Sequence, residues 1–126
     1  MCLTTVYPKE KIIKEGVGYK VFIDTEKGLM PCFFWRGDRK VFKIKKWMKE
    51  KEFRHSCLKG NKFIEDRYPF GFHLFKRKKD AKYFNRFSPT RIIKKVEFRK
   101  GCAIGLNDWA CKNLETIVAK EIFVPK

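Results

Sequence analysis

The feature that most constrains this chain is the alternation in its last third. Along residues 91–99, Ile92, Val96 and Phe98 fall on one side of an extended chain, while Ile93, Lys95 and Glu97 fall on the other. Successive strand side chains point to opposite faces, so this period of two reads as a strand. Residues 116–124 repeat the pattern, with Val118, Ile122 and Val124 on one face. Between these strands, Lys100-Gly101 and Gly105 bracket the short run Cys102-Ala103-Ile104, and residues 106–113 read as a loop carrying Trp109.

Upstream, residues 1–11 read as a lead-in strand or arm. Gly16-Val17-Gly18 punctuates the chain ahead of Tyr19-Lys20-Val21-Phe22-Ile23, an aromatic and β-branched run typical of a strand. Asp24-Thr25-Glu26-Lys27-Gly28 is a turn that leads into a second extended run over residues 29–35, with Pro31 at an edge or a strand start. Residues 36–39 look like another turn. Residues 41–48 are ambiguous, since Phe42, Ile44 and Met48 alternate as in a strand end while Ile44, Trp47 and Met48 fit helical spacing. Residues 45–53 lean to a short helix or an exposed charged loop, and residues 59–69 read as a loop. Gly71-Phe72-His73-Leu74-Phe75 is a compact strand. Ala81, Phe84 and Phe87 recur at helical spacing, which predicts a short helix over residues 78–87, ended by Ser88-Pro89. No repeat, linker or boundary divides the chain. The pattern predicts a single domain over residues 1–126, of α+β class, with a mainly antiparallel sheet and few short helices.

Hydrophobic residues make up 44% of the chain and 13 are Phe. Enough apolar surface is therefore present to offset the entropy of ordering, which excludes a disordered tail. Charge points to function: 31 Lys and Arg against 14 Asp and Glu leave a formal +17 on 126 residues. Such a field attracts polyanions, of which nucleic acid is the commonest in a cell. Two segments concentrate it. Lys43, Lys45, Lys46, Lys49 and Lys51 surround Trp47, a mixture suited to tracking a backbone and stacking bases. Lys76-Arg77-Lys78-Lys79 opens the expected helix, where cations oppose the helix dipole, so phosphate binding explains them better than helix stability does. A solvated face is the bland alternative for both segments. Trp47, His73 and Trp109 are candidate stacking groups.

Cys2, Cys32, Cys57, Cys102 and Cys111 are odd in number and widely spaced, which fits free thiols in a reducing compartment rather than a disulfide framework or a zinc knuckle. His55-Ser56-Cys57 lacks an evident third group, so no metal or thiol site is assigned there. Phosphate loops, HExxH, GxSxG and paired-carboxylate signatures are absent from the sequence. Without a signal peptide or a spanning segment, the expectation is a soluble, cytoplasmic protein with no membrane contact.

Two resemblances add to this reading. The order Tyr19-Lys20, Gly71-Phe72-His73-Leu74-Phe75, Asp80-Ala81-Lys82-Tyr83, Val96-Glu97-Phe98, Gly101 and Ile117-Val118-Ala119-Lys120-Glu121-Ile122 resembles small domains common in bacteriophages and bacterial mobile elements. Those domains share no agreed activity. More distantly, the strand Gly71–Phe75, the alanine-containing helix and Leu114-Glu115-Thr116-Ile117-Val118 resemble the ADP-ribosyltransferase fold of toxins and poly-ADP-ribose polymerases. That resemblance implies a split sheet and an NAD or nucleotide site, with Glu115 in place of the family's glutamate. Tyr19-Lys20 stands where its NAD-binding histidine belongs, and His73 replaces its stacking tyrosine. Two function classes follow. One is a non-enzymatic accessory protein without a cofactor, binding nucleic acid or an acidic protein. The other is an ADP-ribosyltransferase-like enzyme, intact or degenerate, using Tyr19, His73 and Glu115.

Overall fold

The computed structural model describes residues 3–31, 44–49, 71–86, 91–109 and 112–125. In chain order the described elements are β1 (Thr5–Val6), a 3-10 turn (Lys9–Lys11), β2 (Gly16–Thr25), β3 (Gly28–Pro31), β4 (Trp47–Lys49), β5 (Phe72–Phe75), α1 (Lys78–Asn85), β6 (Arg91–Trp109) and β7 (Lys112–Phe123). Among the described residues strand makes up 65%, and α1 is the one helix of seven residues or more. The fold is therefore mostly β, which corrects the expected α+β class.

Much of the difference lies in residues 100–113. The expected short run and most of the expected loop are instead the second half of a 19-residue strand and the start of β7. Gly101 and Gly105 do not break the strand. A Cβ at Gly101 would fall onto the carbonyl oxygen of Ile13, and one at Gly105 onto that of Thr5. These glycines let the N-terminal arm cross β6 at backbone distance. Gly101 donates its N–H to Lys14 O at 2.8 Å, and β1 pairs with Gly105 and Leu106. A register shift between Gly101 and Ala103, with Lys100 at φ 57°, bends the strand there. The second difference is at Trp47–Lys49, which is a short strand on β7 rather than part of a helix or loop.

The named strands pair antiparallel throughout one seven-stranded sheet. β2 pairs with β6, β6 with β7, β7 with β5, and β5 returns to β2. The sheet thus closes on itself as a small barrel, with β1, β3 and β4 as edge extensions. Its seam is narrow, because β2 and β5 share a single paired position, Tyr19 with Phe75.

Phe22, Leu74, Val96, Phe98, Ile117 and Ile122 share one buried core cluster. The outer face is covered twice. α1 lays Ala81 and Phe84 over Val21, Phe75 and Leu114, while Leu3 of the arm lies over Ala103 and Val118. The Phe84 and Phe75 rings meet at 5.2 Å. Burying a ring of this size contributes about 1.5–3 kcal/mol, enough to hold a two-turn helix that would not persist alone.

Candidate functional site

α1 is amphipathic in an unusual way. Asp80, Ala81 and Phe84 face the sheet and are buried. At about 100° per residue, Lys78, Lys79, Lys82 and Arg86 occupy the opposite stripe, and all four are exposed. Lys76 and Arg77 precede the helix, and Lys112, at the start of β7, lies beside it. Its Nζ sits 4.6 Å from the Tyr83 ring centroid, while the Arg86 guanidinium covers the same ring at 4.0 Å. Seven cationic side chains therefore gather around one short helix.

Two carboxylates moderate this field. Arg77 holds Asp80 through Nη2 at 3.0 Å and Nε at 3.1 Å, and Asp80 is fully buried in the first turn. A carboxylate there complements the positive end of the helix, offsetting part of what the lysines oppose. Glu115 reaches Lys76 at 3.8 Å and Arg77 at 3.9 Å. Both acids lie toward the helix start. Lys78, Lys79 and Lys82 are exposed, and among the described residues none of the three has an ion-pair partner.

The second basic segment is only partly described, since Lys43 and Lys51 lie outside the described residues. Lys45, Lys46 and Lys49 are exposed around a half-buried Trp47. The Trp47 ring packs on Phe123 at 5.5 Å and carries the Arg99 guanidinium over it at 4.0 Å. Arg99 and Lys100 both bind the buried carboxylate of Glu121, Lys100 at 2.9 Å. The Lys100 hydrogen bond leads the causes that hold Glu121 below its ordinary pKa, with Arg99 adding to it. This cluster knits β4, β6 and β7 together. It lies at the opposite end of β7 from Glu115, roughly 20 Å along the strand at about 3.3 Å per residue.

The remaining candidates sit on adjacent strands in different surroundings. Tyr19 packs with the apolar cluster under α1. His73 is half-buried on β5 and donates Nδ1–H to Gly71 O at 3.1 Å. Burial, reinforced by the Lys20 charge, lowers its pKa to about 3, so the ring is neutral at physiological pH. Glu115 is engaged with Lys76 and Arg77. Trp109 pairs with Lys112 at the end of the β6–β7 hairpin. Cys102 is a half-buried thiol at the β6 irregularity, donating to Val118 O at 3.5 Å. The other cysteines and His55 lie outside the described residues.

Lys82, Arg86 and Lys112 belong to the basic face but were not singled out by the charge runs. Lys78, Lys82 and Arg86 recur every four residues opposite Ala81 and Phe84, a signal present in the sequence. Lys112 joins them only through tertiary pairing. No described helix is long and apolar enough to cross a membrane. No protein-family model matches the chain, and no curated protein or solved structure matches it.

Proposed function

We propose that this protein is a binding module for nucleic acid, engaging the phosphate backbone through the outward stripe of α1 and its flanking cations. One observation carries the reading: Lys78, Lys79, Lys82 and Arg86 share a face with no acidic residue among them, as far as the described residues go. That arrangement disfavours the helix. Like charges at i, i+4, as in Lys78/Lys82 and Lys82/Arg86, each cost about 0.2–0.5 kcal/mol, and lysines in the first turn oppose the dipole. A polyanion on this face reverses the sign of both terms.

The test is fluorescence anisotropy with a labelled oligonucleotide, titrated with the full chain at low and moderate salt. Affinity is expected to fall roughly a hundredfold between about 50 and 200 mM salt, as for about four neutralised phosphates. Lys82→Glu should weaken binding and lower the magnitude of the salt slope by about one or more, whereas Lys27→Glu in the β2–β3 turn should leave both nearly unchanged. Absence of binding at low salt overturns the reading. So does equal competition by polyglutamate, which would instead point to an acidic protein partner.

A further inference from the structure

We infer that the nucleic acid this face takes is B-form duplex DNA, with α1 seated in the major groove and no base sequence preferred. This rests on the backbone-binding reading above and narrows it. The first argument is shape. α1 lies on the outside of the sheet with Ala81 and Phe84 beneath it, so its basic stripe is exposed and faces away from the sheet. Single-strand binders instead run the strand along a charged groove.

The second argument is the state of the aromatic rings. Single-strand binding relies on rings onto which bases stack. Tyr83 already carries Arg86 at 4.0 Å and Lys112 at 4.6 Å, and Trp47 carries Arg99 at 4.0 Å. A base arriving at either ring must compete with cations already stacked there.

The third argument is fit. A helix with its side chains is about 10–12 Å across, and the major groove of B-form DNA is about 12 Å wide. The A-form RNA major groove is too deep and narrow for such an element. Sequence readout lacks its usual tools on this stripe. Asn85, whose amide could pair with adenine, donates Nδ2 to Arg91 O at 3.2 Å. The stripe itself offers three lysines, which act on phosphate as point charges, and Arg86, which is stacked on Tyr83.

The experiment compares duplex DNA, duplex RNA and single-stranded DNA of equal length by anisotropy at about 50 mM salt. Duplex DNA is expected to bind on the order of tenfold tighter than either alternative, with scrambled duplex sequences alike within about twofold. Tyr83→Leu, checked for folding by thermal melting, should change single-strand and duplex affinity by the same factor, because the ring acts through the cations Arg86 and Lys112 that it carries. A loss on the order of tenfold confined to single strands would show that the ring stacks bases. Single-strand or RNA binding equal to or tighter than duplex DNA binding overturns this inference while leaving the backbone reading intact. If none of the three ligands binds, the backbone reading itself fails.

Discussion

The ammonium of Lys20 donates to the main-chain oxygen of His73 at 3.1 Å, across the seam where β2 and β5 share only one paired position. A side chain thus serves a strand carbonyl where the ladder has run out. The same lysine stands directly opposite Lys94 on β6, a like-charged cross-strand neighbour.

These two contacts predict opposite outcomes for two similar substitutions. Lys20→Met removes a charged hydrogen bond of about 1.5–3 kcal/mol but also relieves a repulsion of up to about 1 kcal/mol. A net loss of about 1–2 kcal/mol is expected by urea denaturation, with faster hydrogen exchange in β5. Lys94→Met relieves the same repulsion and breaks no hydrogen bond of the seam. It should be neutral or stabilising. Equal destabilisation by both would show that the seam contact contributes nothing.

Glu121 anchors the other end of β7. Its side chain is 4% exposed, while those of Arg99 and Lys100 are 41% and 64% exposed. Breaking a fully buried ion pair costs about 3–5 kcal/mol, but here the cations can return to water. Glu121→Gln should therefore cost only about 1–2 kcal/mol at neutral pH. Because its folded pKa lies below 4.5, this contribution is full above pH 4.5 and is lost as pH falls through the folded value. The stability gap between wild type and variant should shrink over that range. A pH-independent gap would count against the ion pair.

His73 acts earlier on the same acid limb. Its pKa falls from 6.5 to about 3, so protons bind the unfolded chain first. Stability from the neutral ring is complete above pH 6.5 and declines as pH drops toward about 3. In an NMR titration its ring signals should stay flat through pH 6.5, and a His73→Gln variant should lack this part of the decline. A normal titration near 6.5 would refute the neutral assignment.

At Gly101, a single methyl group tests the crossing of the arm over β6. Gly101→Ala places a Cβ on Ile13 O and pushes the arm outward, with an expected loss of about 1–3 kcal/mol, as for overpacking. Limited proteolysis should then cut the first residues sooner than in wild type. Unchanged stability and cleavage would mean that the arm does not lie against the strand.

Several elements were legible before the structure. The aromatic and β-branched run Tyr19–Ile23 located β2, and alternation located residues 91–99 of β6 and most of β7. The turn ending at Gly28 joined β2 to β3, and Ala81 with Phe84 located α1 and its buried face. Val118 packs under Leu3 rather than with Ile122 and Val124. The expected α+β class fails because Gly101 and Gly105 look the same in a sequence whether they end a strand or let another chain segment cross it. Helical and extended periods overlap in short runs such as the one around Trp47, so only its pairing with Phe123 reveals a strand.

The basic face divides along the same line. Net charge, the run from Lys76 to Lys79 and the four-residue spacing of Lys78, Lys82 and Arg86 are properties of the sequence by itself. Which cations remain available is decided by the tertiary structure. Folding gives Arg77 to Asp80 and Glu115, commits Arg99 to Trp47 and Glu121, and brings Lys112 alongside Tyr83. Several of these partners are more than twenty residues apart in the chain. A charge count carries no information about such neighbours, because ion pairing depends on distance in space, and the closed sheet sets that distance.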